Sequence, residues 1–546
     1  MESEERPVTE RLLQDSDLMS LMWPANPVLS PCGKRIVYEV RKIREKQDDY
    51  TTHLEIADVQ GLERRALTAS GTRNTSPVWS PDGTKLAFLS NRFAGTQVWL
   101  LPMAGGEAQC VTRFRYGVRS MAWSPDGTTL VMLVPVKNDD TVEWLTEDAT
   151  DEEVSERLDK EQKEWQRGPK RYDWIYYKQD GAGLSRGLKL QLVTYNLGTG
   201  QYRPLTNGPY DVEEFSISPD GNHVAFTSNR RAEPEIELWS DIYRVPMHGG
   251  SLELLCGDTN AGQLAYSPDG SEIAFFGHRD EYKFASHVHL YTVPAIGGTA
   301  TSWTVTFPDT LGNFGMSDMR AHEFTPAPVW AKTGKEIYAL TSREGRTQLA
   351  RFTRRGEETA SEIVAGGDRE IYGFSISNDN QAALTYTTPV HPGKVAVIRL
   401  EDTESSPAPA ARSVTEAMET EPVAFFPSSE IRIDACSDKL LAGLTLTNPE
   451  PFWYTSEDGW QVQGFVMKPP RFEGGRKYPV IFEIHGGPHA AYSYSFFHEF
   501  QWLAAQGYAV VFVNPRGSMS YGQEFVNACR HDYGGRDAMD LLNGRH

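Results

Sequence analysis

A four-residue turn recurs from residue 29 to about residue 400 at a nearly fixed interval. It reads Ser30-Pro31-Cys32-Gly33, Ser80-Pro81-Asp82-Gly83, Ser124-Pro125-Asp126-Gly127, Ser218-Pro219-Asp220-Gly221 and Ser267-Pro268-Asp269-Gly270. Two degenerate copies follow, Ala331-Lys332-Thr333-Gly334 and Ser377-Asn378-Asp379-Asn380. Proline presets φ at the second turn position, and Asp with Gly or Asn tolerates the tight reversal. The five prolines lie 50, 44, 94 and 49 residues apart. An interval of that size holds four short strands, the period of a propeller blade. After each turn comes an apolar, β-branched and aromatic run such as Lys85–Leu89, His223–Thr227 or Glu272–Phe276. A further strand ends in Pro102-Met103-Ala104-Gly105-Gly106, Pro246-Met247-His248-Gly249-Gly250 or Pro294-Ala295-Ile296-Gly297-Gly298. Seven turns predict an all-β, seven-bladed propeller over 29–400, preceded by an N-terminal segment, 1–28. A two-sheet sandwich is the competing architecture, but it has no reason to repeat its own sequence at a fixed period.

The 94-residue interval is one blade plus an insertion at 138–187. The insertion opens with a charged, helix-favouring stretch, Val142 to Arg167, and continues into Arg171-Tyr172-Asp173-Trp174-Ile175-Tyr176-Tyr177. A solvated surface helix accounts for the charge. The aromatic cluster either packs that helix onto the propeller or reaches into a cavity to contact substrate. Residues 401–430 lack apolar periodicity and read as an exposed linker. From 431 to 546 strands and helices alternate. A hairpin at 452–467, a strand from Tyr478 to Ile484, a helix from Glu499 to Gln506, a strand at 509–513 and a helix start at 521–529 predict part of an α/β sheet.

Composition narrows the partners. With 54 Lys and Arg against 74 Asp and Glu, the net charge of −20 argues against a nucleic-acid backbone. No apolar run is long enough to span a bilayer, and the acidic N-terminus lacks a signal-peptide core, so no membrane association is expected and the protein is expected to be cytoplasmic. The five cysteines are scattered and show no metal-ligand spacing, which fits free thiols in a reducing compartment and neither metal nor cofactor. His287 and His289 alternate as if on one strand face, but two histidines make at most half a zinc site.

Two motifs carry chemistry. His485-Gly486-Gly487-Pro488 directly follows a buried strand. Acyl transfer develops negative charge on a carbonyl oxygen, and backbone N–H groups in a Gly-rich loop stabilise it. Asn514-Pro515-Arg516-Gly517-Ser518 follows the next strand. Arg516 either orients the first loop, binds a substrate carbonyl, or makes a structural ion pair. The lone Gly-x-Ser-x-Gly pattern, Gly183-Leu184-Ser185-Arg186-Gly187, is a decoy. A nucleophile elbow needs a buried strand before it and a helix after it, and neither is expected there.

Taken together, the Ser-Pro-Asp-Gly blades, Asp458-Gly459 with the strand Gly464–Pro469, His485–Pro488 and Asn514–Gly522 resemble the prolyl oligopeptidase family of serine peptidases. Within it the acylaminoacyl peptidase branch is the nearest likeness, and the insertion with Arg171–Trp174 shares it. The resemblance implies a serine peptidase that cleaves short peptides through an acyl-enzyme, releasing N-acylated amino acids or dipeptides. The propeller would admit only small, unfolded peptides. Gly487, with Gly486 beside it, would supply one N–H of the oxyanion hole, the second coming from the residue after the nucleophile, with His485 and Arg516 binding substrate or orienting the loop. In this family the nucleophile, acid and histidine follow in that order. The sequence reaches His546 within what resembles the helix before the nucleophile strand, Gly534–Leu542. The expectation is therefore an incomplete hydrolase domain with no catalytic triad, a truncated chain inactive as it stands, with exposed strand edges. A non-catalytic propeller that binds peptide or protein is the alternative, and homo-oligomerisation is compatible with either.

Overall fold

The computed structural model describes residues 10–137, 141–145, 150–172, 174–179, 183–320, 325–356, 358–400, 430–434 and 436–544. The expected linker at 401–430 lies almost wholly outside the described residues, as do residues 1–9 of the N-terminal segment and parts of the insertion.

Each Ser-Pro-Asp-Gly turn joins the first two strands of a four-stranded antiparallel meander. Five such sheets follow one another along the chain, over 22–66, 74–110, 120–204, 215–256 and 260–302. Nine further strands, from Thr310–Leu311 to Ile431–Asp434, form one sheet. It contains two antiparallel runs, 329–365 and 370–434, joined by a single parallel pair, Thr347 with Glu370. Within a turn the Ser hydroxyl donates to the Asp carboxylate, at 2.6 Å for Ser80–Asp82 and 2.5 Å for Ser124–Asp126, and accepts from the backbone five residues on.

The turns also touch one another in series. A Cβ built on Gly83 would lie 3.6 Å from Pro31, and one on Gly127 would lie 3.5 Å from Pro81. Gly221 meets Pro125, Gly270 meets Pro219, and Gly334 meets Pro268 in the same way. The series closes where Asn378 donates to the Pro31 carbonyl, while Leu29 N–H reaches Ser375 Oγ at 3.0 Å. Tryptophans reinforce the joints: the indoles of Trp79, Trp123 and Trp330 donate to Val28, Val78 and Ala265 of the preceding sheet at 3.1–3.2 Å. Apolar clusters fill the space between neighbouring sheets, for example Phe88 and Leu86 against Val37, Leu54 and Ile56.

The turns occupy one end of this ring. The connections between second and third strands therefore lie at the other end, including the insertion between Thr129–Lys137 and Leu188–Asn196. The insertion's helix α1 (Asp151–Arg167) starts later than the charge run suggested, because Thr150 and Glu153 form a reciprocal capping box. Past the single turn α2 (Asp438–Leu441), strands Glu450–Thr455, Gln461–Met467, Val480–Glu483 and Ala509–Asn514 form a mixed sheet in which the fourth lies between the second and third. Helices α3 (His498–Ala505), α4 (Gln523–Asn527) and α5 (Arg536–Gly544) accompany it. Val480–Glu483 lies at the sheet's edge, with Val480 61% exposed. No helix among the described residues is long and apolar enough to cross a membrane.

The turn hydroxyls hold Asp82, Asp220 and Asp269 at a pKa of about 2, below the ordinary carboxylate value. A depressed folded value contributes stability that is present above about pH 4 and lost as pH falls toward about 2. Urea midpoints should therefore drop across that window, and the drop should shrink in the triple variant Asp82→Asn, Asp220→Asn, Asp269→Asn.

Candidate active site

The hydrolase sheet meets the propeller through the segment after His485–Pro488. Ala491 pairs with Gly315 as an isolated parallel bridge: Ala491 N–H donates to Phe314 O at 3.0 Å, and Met316 N–H donates back to Ala491 O at 2.9 Å. Tyr494 N–H donates to Gly345 O at 2.8 Å, and Phe496 N–H to Thr387 Oγ1 at 3.1 Å. Ser493 donates to Glu370, a fully buried carboxylate that also accepts from Asn313 and Arg320. Asp318, from the propeller side, accepts from His498 and Glu499 N–H and so caps α3, whose own N-cap, Phe497, offers no side-chain acceptor.

That segment fixes the Gly-rich loop. Asn514 closes both sides of a backbone pair with Tyr492, accepting from its N–H at 2.8 Å and donating to its carbonyl at 3.0 Å. His489 Nδ1 sits 3.0 Å from Gly517 O. Gly517 has φ of 101°, and a Cβ there would strike Cys529 Sγ, so the second loop can close only on glycine. His485 is 9% exposed, stacks edge-on against Tyr492, and contacts Gly486 O at 3.0 Å through Nδ1 and Ser518 Oγ at 2.9 Å through Nε2. Burial lowers its pKa, so the ring is neutral. Its two nitrogens thus face Gly486 O and Ser518 Oγ, while the Ser518 hydroxyl gives its own proton to Pro515 O at 2.7 Å.

Gly486 and Gly487 are exposed, and no hydrogen bond among the described residues uses either amide. Gly487 takes φ of 129°, in the region that favours glycine. Two clamped, unoccupied backbone donors at a strand end can receive a developing oxyanion.

Arg516 is 3% exposed and fully engaged. It binds Asp458 through Nη1 and Nη2 at 2.6 and 2.7 Å, and Asp540 through Nε and Nη2 at 2.8 and 2.7 Å. Its own N–H also reaches Asp540, at 2.9 Å. These bonds tie the hairpin turn, the second loop and α5 together. Arg516 holds Asp458 at a pKa of about 2. Sequence reasoning did not reach these two partners, nor Asn514, His489 or Glu370 as loop-fixing groups; the Asp458-Gly459 turn was the one local signal.

Neither Ser–His nor Gly-x-Ser-x-Gly features supply a nucleophile here. Ser518 is fully buried, its hydroxyl 2.7 Å from Pro515 O, and no carboxylate faces the Nδ1 of His485. Ser185 is exposed just after the two-residue strand Gly183–Leu184 and is followed by the strand Leu188–Asn196, not by a helix. His287 lies outside the strand His289–Pro294, so the expected alternation on one strand fails; the two rings are 6.3 Å apart. No group of three His, Cys, Asp or Glu among the described residues is placed to hold a metal.

This arrangement is that of a β-propeller set against an α/β sheet that presents a Gly-rich loop with two open backbone amides. The profile of the TolB beta propeller domain matches residues 25–162, and that of the prolyl oligopeptidase family matches residues 494–546. The chain is 30% identical over 537 residues to the uncharacterized peptidase YuxL of Bacillus subtilis, covering 98% of this chain and 75% of that protein. It is 25% identical to dipeptidyl-peptidase 5 of Porphyromonas gingivalis, covering 96% and 71% respectively. The acylaminoacyl peptidase of Pyrococcus horikoshii shares its fold, with a TM-score of 0.70 at 19% identity over 98% of this chain and 72% of that one. The chain belongs to the prolyl oligopeptidase family of peptidases.

Breaking a buried ion pair on one side leaves an uncompensated charge and costs about 3–5 kcal/mol. Asp540→Ala should therefore lower the unfolding midpoint of the full chain well beyond Asp458→Ala, because Asp540 is wholly buried while the Asp458 side chain is 27% exposed. Equal losses in denaturant titrations would contradict this reading of Arg516.

Proposed function

We propose that this chain carries the substrate-gating propeller and the oxyanion loop of a serine peptidase acting on short peptides, in a lineage that releases N-acylated amino acids or dipeptides. The open amides of Gly486 and Gly487, held against the propeller by residues 491–499, carry the proposal. The names of its relatives, a dipeptidyl-peptidase and an acylaminoacyl peptidase, favour the same substrate class. Losing one such donor costs roughly 3–4 kcal/mol of transition-state stabilisation in enzymes that use it. His485 and Arg516 act as loop-orienting groups, the first through Ser518 and the second through Asp458 and Asp540.

With the two-residue strand Thr310–Leu311 set aside, the nine-stranded sheet divides into two four-stranded runs, which beside the five separate sheets supports a seven-bladed reading. The insertion sits at the same end as the loops that touch the hydrolase sheet, where Ile175 N–H donates to Glu235 at 2.9 Å. That placement supports a substrate-contacting role for its aromatic residues, in a protein acting alone or as a homo-oligomer on cytoplasmic peptides.

Ser518 is buried and Ser185 stands off any elbow. This also keeps a purely binding role in view. A fluorophosphonate probe should leave the purified chain unlabelled, and Ser185→Ala should change nothing. Labelling of Ser518 or Ser185 would overturn the reading that neither serves as a nucleophile.

A further inference from the structure

The second and fourth sheets place an arginine at the same point of the repeat, two residues past the end of the second strand: Ser90-Asn91-Arg92 and Ser228-Asn229-Arg230. Each guanidinium lies over the same cross-strand aromatic pair. Arg92 is 5.3 Å from Phe88 and 5.0 Å from Trp99; Arg230 is 5.7 Å from Phe226 and 5.8 Å from Tyr243, with Tyr210 at 5.1 Å.

The two seats differ in their acceptors. Arg92 donates through Nε to Ser70 O and through Nη2 to Asn74 Oδ1. The Nε and Nη2 of Arg230 are shut off from solvent and meet no acceptor among the described residues. Its neighbour Arg231 is neutralised by Asp241 and Asp258, whereas no carboxylate among the described residues pairs with Arg230. The aromatic faces hold the cation in place without neutralising it. Nη1, neither shut off nor bonded among the described residues, is the one nitrogen open to a ligand.

The connection carrying Arg230 belongs to the end of the ring that faces the hydrolase sheet. The equivalent connection of the fifth sheet bonds Gln523 through Ala285 and His287, and that of the sixth run bonds Ser520 through Glu344. A held, uncharged-for guanidinium on that face has the chemistry of a carboxylate receptor. We propose that Arg230 Nη1 binds the free α-carboxylate of a short peptide and so selects peptides by length. This rests on the peptidase reading above, which it deepens.

The test is titration of the full chain with a fluorescent tetrapeptide carrying a free C-terminal carboxylate and with its C-terminal amide. The wild type should bind the acid about tenfold more tightly than the amide, as expected for one charge-assisted contact. Arg230→Gln should remove that preference while leaving amide binding intact, and Arg230→Lys should keep part of it. Intact amide binding also shows that the glutamine variant is folded. Equal binding of acid and amide by the wild type, or a preference that survives Arg230→Gln, would overturn the inference and leave the peptide reading standing. Failure of both peptides to bind the wild type would overturn both.

Discussion

The buried carboxylate of Glu370 is the point on which the two parts of the molecule depend. It begins a strand of the last propeller run, supplies the parallel pair that joins this run to the one before, and accepts from Asn313, Arg320 and Ser493. A buried charge survives only when its lone pairs are met. Meeting those of Glu370 requires Ser493, which lies six residues past Gly487. The chemistry-bearing loop is thus fixed by a propeller residue more than a hundred positions earlier in the chain. Asp318 does the same for α3, capping from outside a helix whose own sequence lacks a cap.

From that anchor the order of causes runs outward. Tyr492 is paired by Asn514, Asn514 ends the neighbouring strand, and Gly517 closes against Cys529 so that His489 and His485 can both bridge the two loops. Neutral His485 is a strut between Gly486 O and Ser518 and not a base. The amides of Gly486 and Gly487 make no hydrogen bond among the described residues.

Much of this was legible in the sequence because its causes are local. A Ser-Pro-Asp-Gly turn encodes its own geometry, so the repeat showed the sheets, and apolar runs ending in glycine showed the hydrolase strands. What escaped depends on distant residues. Arg516 left three roles open because Asp458 and Asp540 are 58 and 24 residues away. The merging of the last two runs rests on one pair, Thr347 with Glu370, that no pattern announces. The start of α1 was misjudged although its Thr150-x-x-Glu153 box was visible, because charge was weighed ahead of capping. His287 and His289 looked like strand neighbours, but the strand begins only at His289, after a loop held by Gln523.

Amide hydrogen exchange on the full chain addresses the central claim most directly. If the propeller clamps the Gly-rich loop, amides at Ala491, Tyr494, Phe496 and His498 exchange as slowly as those of the strands Glu370–Ile376 and Gln381–Thr388, while Gly486 and Gly487 exchange at once. Fast exchange throughout 491–498, or protection at Gly486 and Gly487, would contradict the account.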